Sequence, residues 1–279
     1  MPTMSSHEPR RLARSTQDTL LLGSDEGFVP LSSTGPLVGI DKALHRAAAG
    51  TLPAPRGATA TPVATEGFSF AAPLTRPGKI WCIGLNFRGH ADDLDEDRPE
   101  APGSFMKPAT TLTGPGGPIR RPPRDLAERV TSEAELAIVI GRTCRDVSED
   151  DVNRIVAGYV PVIDVTAEDV FQTNTRFLTR SKSFDTFLVV GPWIETALPV
   201  SALSNLEIRT LVDGQVCAAN TVDAMSFSPA ELVAYHSRVM TLEPGDLITT
   251  GTPGAHPIEP GSTVRAEVDE IGTVEAEVV

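Results

Sequence analysis

The sequence predicts an α+β fold dominated by strands, built as a small N-terminal α+β module joined to a larger strand-rich domain. Three observations carry the prediction. Short apolar or alternating runs follow one another from Lys79 to the C-terminus, and helix start signals are few. Residues 50–67, GTLPAPRGATATPVATEG, have the Pro, Ala, Thr and Gly content of a linker that cannot bury enough apolar surface to fold alone.

In chain order, residues 1–9 (MPTMSSHEP) are polar and aperiodic, a frayed tail, with order expected from about Leu12. Thr19–Leu22 and Gly27–Leu31 are strand-like, and Asp41–Ala49 has helical spacing, so 10–66 form the module and its linker. The larger domain spans 73–279. Its expected strands are KIWCIG, SFMK, ELAIVIG, GYVPVIDV, FLVVG, LEIRTLVD, QVCAA, DLITTG, TVRAEV and GTVEAEVV. Asp213-Gly214 is a two-residue hairpin turn, because glycine accepts the positive φ that such a turn requires. Ser148 begins a helix expected to run to about Ala157. Ser228-Pro229-Ala230-Glu231 begins another, with an N-cap, a proline at the first helical position and a capping-box glutamate. GPGGP at 114–118 is a turn and lacks the Lys and Ser/Thr of a phosphate-binding loop.

The formal charge of -13 over 279 residues argues against a nucleic-acid footprint or an anionic-membrane surface, since both need clustered Lys and Arg. Cys82, Cys144 and Cys217 are an odd set without C-x-x-C spacing, so neither a disulfide framework nor a thiolate zinc site is expected. A reducing cytoplasm fits. No apolar run is long enough for a membrane span or a signal peptide. Serine-hydrolase and dinucleotide chemistry are disfavoured by the lack of G-x-S-x-G and G-x-G-x-x-G.

The candidate chemistry lies in carboxylates. Glu133 and Glu135 in SEAELAIVIG emerge on one face of a strand, about 6 to 7 Å apart. A solvent-facing edge is the commoner fate of alternating glutamates, but the same phase continues as Ala137 and Val139, so the face turns inward. Asp164 interrupts VPVIDVTA, where an unpaired carboxylate would cost several kcal/mol. Either a cation held by Glu133, Glu135 and Asp164 or a salt bridge to Lys182 or an arginine would compensate it. All-oxygen ligation favours Mg²⁺, Mn²⁺ or Ca²⁺ over zinc.

Six strings in order, KIWCIGLNFRGHA, SFMKP, EAELAIVIGR, AGYVPVIDVT, KSFDTFLVVGPW and MTLEPGDLITTGTPG, resemble the fumarylacetoacetate hydrolase family over about residues 73–279. The resemblance implies a mixed β-roll or sandwich catalytic domain, a homodimer, and Mg²⁺ or Mn²⁺ bound by Glu133, Glu135 and Asp164. It implies His90 with Asp93 as the base that activates water, and Lys182 as an oxyanion or carboxylate partner. It also implies a substrate-binding T-G-T turn, Thr250, Gly251 and Thr252. Phe87 and Phe105 are candidate pocket walls, although aromatics flanking strands are more often core.

The implied substrate is a small 2-oxo acid or 1,3-dicarbonyl compound whose two oxygens chelate the metal. The first expectation is metal-dependent hydrolysis of a C–C bond. The alternatives are a 2-oxo acid decarboxylase, isomerase or cyclase, or a non-catalytic metal-binding relative. Some positions depart from the family pattern. Glu168 and Phe171 replace the Arg and Gln that follow the metal aspartate, Thr131 replaces a common Asp, and Asp93 replaces a Glu. They predict an altered pocket, unless Arg176 or Arg180 substitutes for the missing arginine.

Overall fold

A computed structural model describes residues 10–36, 39–87 and 100–279. The first elements are β1 (Arg11–Ser15), β2 (Leu20–Ser24), β3 (Gly27–Pro30), α1 (Ile40–Ala48) and β4 (Phe70–Ala71). The rest comprises β5 (Ile80–Gly84), β6 (Gly103–Lys107), β7 (Leu112–Thr113), β8 (Val130–Ile140), β9 (Val156–Ala167), α2 (Glu168–Thr173), α3 (Leu178–Lys182), β10 (Leu188–Val190) and β11 (Trp193–Glu195). There follow β12 (Glu207–Val212), β13 (Gln215–Thr221), α4 (Pro229–Val239), β14 (Leu247–Thr249), β15 (His256–Pro257), β16 (Thr263–Val268) and β17 (Gly272–Glu277). The strand-dominated α+β class is as the sequence predicts.

The long strands β8 and β9 pair antiparallel and are buried on both faces throughout. Their β-branched and small residues suit a layer covered on both sides. Ala134, Leu136 and Ile138 of β8, with Ile163 and Val165 of β9, face a four-stranded sheet ordered β13-β12-β16-β17 and the helix α4. Ala137 and Val139, with Val160 and Val162, face the opposite way, toward α1, β5 and β10. That second face is the one that carries Glu133, Glu135 and Asp164.

The larger sheet runs β3-β2-β1-β11-β9-β8-β14-β5-β6. From β9 to β6 is four strand steps, roughly 19 Å if the sheet were flat. Lys107 on β6 nevertheless lies 2.5 Å from Asp164 on β9, closer than the two side chains could bring flat strands. The sheet therefore curls on itself, and α3 packs on both β6 and β9 across the opening.

β1 pairs with β11, Leu12 opposite Ile194, so β1, β2 and β3 extend the same sheet. The Pro/Ala/Thr-rich stretch is pinned to it: Val63 exchanges hydrogen bonds of 2.7 and 2.9 Å with Phe28, and Thr59 donates to Ser33. Expectation and structure also differ at 148–157. Only a 3-10 turn forms at Glu149–Arg154, and β9 starts at Val156, because the β-branched run that follows is needed as a central strand. The expected turn and cap are present. Asp213 and Gly214 have φ of 51° and 77° between β12 and β13, and Ser228 and Glu231 form a full capping box.

Candidate metal and catalytic centre

Glu133 and Asp164 are direct cross-strand partners, and Glu135 follows on the same face. Like charges so placed repel. All three are buried, and one carboxylate oxygen from each lies within 4.8 Å of the others. Lys182, at the end of α3, donates to Glu133 Oε2 and Asp164 Oδ2, both at 2.9 Å. A salt bridge from Lys182 to Asp164 is thus present together with the acid cluster. Thr166, opposite Thr131 on β9, donates its hydroxyl to Glu133 Oε1. The Lys182 ammonium is 5.2 Å from the ring centre of Phe105, which is itself packed in the apolar core.

Lys107 was not among the residues singled out from the sequence. Its side chain is wholly buried, with the ammonium 2.5 Å from Asp164 Oδ1. The signal was in the string SFMK: Phe105 and Lys107 share a strand phase, and an inward phenylalanine turns the lysine inward too.

Electrostatics separates the three acids. Burial would push Asp164 up, but Lys107 and Lys182 outweigh it and hold the carboxyl below its ordinary value. Burial likewise disfavours the Lys182 cation, and the surrounding acids, Asp164 foremost, reverse this and raise it. Glu135 touches neither ammonium; burial, then the charges of Asp164 and Glu133, push it up to about 8. Once Glu135 is ionised, two cations facing three carboxylates leave one negative charge unbalanced. Asp164 Oδ1 faces the Lys107 ammonium at 2.5 Å, and Asp164 Oδ2 faces that of Lys182. A buried cluster of three carboxylates, one oxygen of each within 4.8 Å of the others, is an all-oxygen donor set that fits one hard divalent ion, such as Mg²⁺ or Mn²⁺.

The T-G-T turn serves the site through its main chain. Gly251 N–H donates to Glu135 Oε2 at 2.7 Å. Its φ of +88° favours glycine, and a Cβ there would meet Asn86 Cβ at 2.9 Å. Asn86 secures the turn from below, donating to Thr250 O and Phe227 O. The Thr250 hydroxyl, expected at the substrate, donates instead to Leu136 O at 2.9 Å, and that of Thr252 donates to Gly254 O at 3.0 Å. Phe87, also expected there, is wholly buried in the larger apolar core and bridged to Met225. His90 and Asp93 lie outside the described residues.

Glu168 does not offer a free negative charge. It is ion-paired with Arg129 and accepts from Gln172 at 2.9 Å. Arg176 and Arg180, the expected substitutes for a family arginine, are exposed, and Arg180 stacks on Phe177. A cleft of about 270 Å³ between α1 and the start of β9 contains none of the site side chains.

A family model described as fumarylacetoacetate (FAA) hydrolase, C-terminal, matches residues 79–279. The chain is 42% identical over 202 residues to Protein Rv2993c of Mycobacterium tuberculosis, covering 72% of this chain and 75% of that protein. It is 36% identical over 220 residues to the mitochondrial oxaloacetate tautomerase fahd2 of Xenopus laevis, covering 76% and 68%. Among solved structures, a 5-carboxymethyl-2-hydroxymuconate delta-isomerase from Mycobacterium smegmatis superposes with a TM-score of 0.76 at 34% identity, covering 96% and 98% of the two chains.

Proposed function

The chain belongs to the fumarylacetoacetate hydrolase family, whose members are enzymes, and from that premise we propose a divalent-metal-dependent enzyme that forms and reprotonates the enolate of a small 2-oxo acid. The observation that carries the proposal is the cage of Glu133, Glu135 and Asp164 with the two buried ammoniums of Lys107 and Lys182. When bound by the three carboxylates, Mg²⁺ or Mn²⁺ supplies Lewis-acid polarisation of the adjacent oxygens of a 2-oxo acid. Lys182 is placed to donate to an oxygen that gains negative charge, and in a dry site such a donor is worth about 10² or more in rate. Phe105 keeps water from that ammonium. Gly251 fixes Glu135, the acid with no lysine contact.

Net isomerisation or tautomerisation is the first reading, because proton transfer at an enolate is all that the described residues must support. It also agrees with the tautomerase and isomerase names among the relatives. C–C hydrolysis is the second, favoured by the family's description and by the His90/Asp93 motif expected to activate water. A homodimer and a cytoplasmic location belong to the same proposal. No helix among the described residues is long and apolar enough to cross a membrane.

Product analysis by NMR tests the choice. Magnesium-loaded protein is given oxaloacetate and, separately, acetylpyruvate. Faster keto–enol exchange without new acids supports the first reading; acetate and pyruvate from acetylpyruvate support the second. Uncatalysed rates with both, and with other 2-oxo acids, reject the proposal.

A further inference from the structure

Lys107 has an unusual set of partners for a buried lysine. A lysine ammonium has three N–H donors. All three are spent on main-chain carbonyls: Lys182 O and Phe187 O at 2.8 Å, and Val165 O at 3.2 Å. Asp164 Oδ1 lies 2.5 Å from the same nitrogen, a fourth oxygen around three protons. Each carbonyl belongs to a segment that places a functional group. Val165 follows Asp164, Lys182 is the residue whose own ammonium bridges Glu133 and Asp164, and Phe187 precedes Leu188, which pairs with Asp164 across β9 and β10. With no proton to spare and a side chain fully enclosed, Lys107 cannot act on substrate.

We propose that Lys107 is a positioning residue: one ammonium ties the end of β9, the end of α3 and the start of β10 together, and so fixes Asp164 and Lys182 relative to the metal-binding carboxylates. The inference rests on the metal-enzyme reading above and adds a residue and a role to it. It has a consequence of definite sign. If Lys107 acted only through its charge, its removal would tighten cation binding, because an ammonium beside one ligand opposes a second cation. If it positions the ligands, its removal loosens binding despite the lost repulsion, by about tenfold or more, as for other outer partners of metal ligands.

The test is Mn²⁺ titration of the full-length protein and of Lys107→Met, followed by electron paramagnetic resonance, with kcat and KM measured on the substrate found above. The expected result is weaker Mn²⁺ binding, an altered spectrum of the bound ion, and a fall in kcat with KM little changed. Binding as tight as wild type or tighter, with an unaltered spectrum, overturns the positioning role and leaves the metal reading intact. Failure of the wild type to bind Mn²⁺ rejects both. Should Lys107→Met not fold, Lys107→Gln keeps two of the three N–H donors on a shorter, uncharged side chain. Weaker Mn²⁺ binding than wild type then supports the role, and equal or tighter binding overturns it.

Discussion

Glu135 is the acid whose state should govern the centre, since burial and two neighbouring carboxylates raise it to about 8 and no lysine contacts it. Without metal, the folded chain keeps this proton between the ordinary value of 4.5 and about 8, where the unfolded chain has lost it. The folded state binds more protons in that window, so metal-free stability should fall as pH rises through it. Metal binding needs the ionised form, so affinity should rise about tenfold per pH unit and level off above the raised value. Calorimetric Mn²⁺ titrations across the window check this, and Glu135→Gln should abolish the slope. Lys182→Met, which strips Glu133 and Asp164 of a shared donor, should lower kcat by about 10² or more, read in steady-state kinetics. At this scale the acids were legible because a carboxylate in an apolar strand phase demands a partner. Lys107 is legible from the strand phase that it shares with Phe105. The engagement of the Thr250 and Thr252 hydroxyls was not legible, because their acceptors are set by how the turn folds back on β8 and on itself.

Between residues and molecule, turns and caps hold the site's supports in place. Gly251→Ala should destabilise the protein by about 1–2 kcal/mol, because a left-handed φ is unfavourable for alanine and the added methyl meets Asn86. It should also weaken Mn²⁺ binding by disturbing the Gly251 contact to Glu135, a loss that a change in the fold elsewhere would not cause. Urea unfolding and metal titration report the two effects. Ser228→Ala removes the cap of α4 and should cost about 1 kcal/mol with kcat unchanged, since the helix packs on the face of β8 away from the acids. Ser228 and Asp213-Gly214 were legible because local hydrogen bonding and φ preferences decide them. The helix expected from Ser148 failed because tertiary burial of β9 on both faces outweighs a local start signal. The short helices α2 and α3 have no periodicity long enough to register, and the end of α3 is held by the Lys107 ammonium on the Lys182 carbonyl.

Over the whole molecule, the order of motifs was readable and the curl of the sheet was not, since contact between β6 and β9 joins strands four steps apart. The linker-like composition of 50–67 says nothing of how residues before it pair, and β1 continues the sheet through β11, while Arg10 N–H and Ala197 N–H converge on Glu195 Oε1. Deleting residues 1–72 should therefore expose the edge of β11 and the apolar surface beneath α1, and yield a protein without a cooperative melting transition. Scanning calorimetry of the truncated chain decides this. A bound ion should stabilise the intact fold by about 2.7 kcal/mol at a hundredfold excess over Kd. The most direct test of a metal-dependent 2-oxo acid enzyme is to strip the purified protein with a chelator, add Mn²⁺ stepwise, and follow oxaloacetate keto–enol exchange. The account predicts little activity in the stripped protein and recovery that saturates at one ion per chain. Full activity in excess chelator, or none at any metal level, would contradict it.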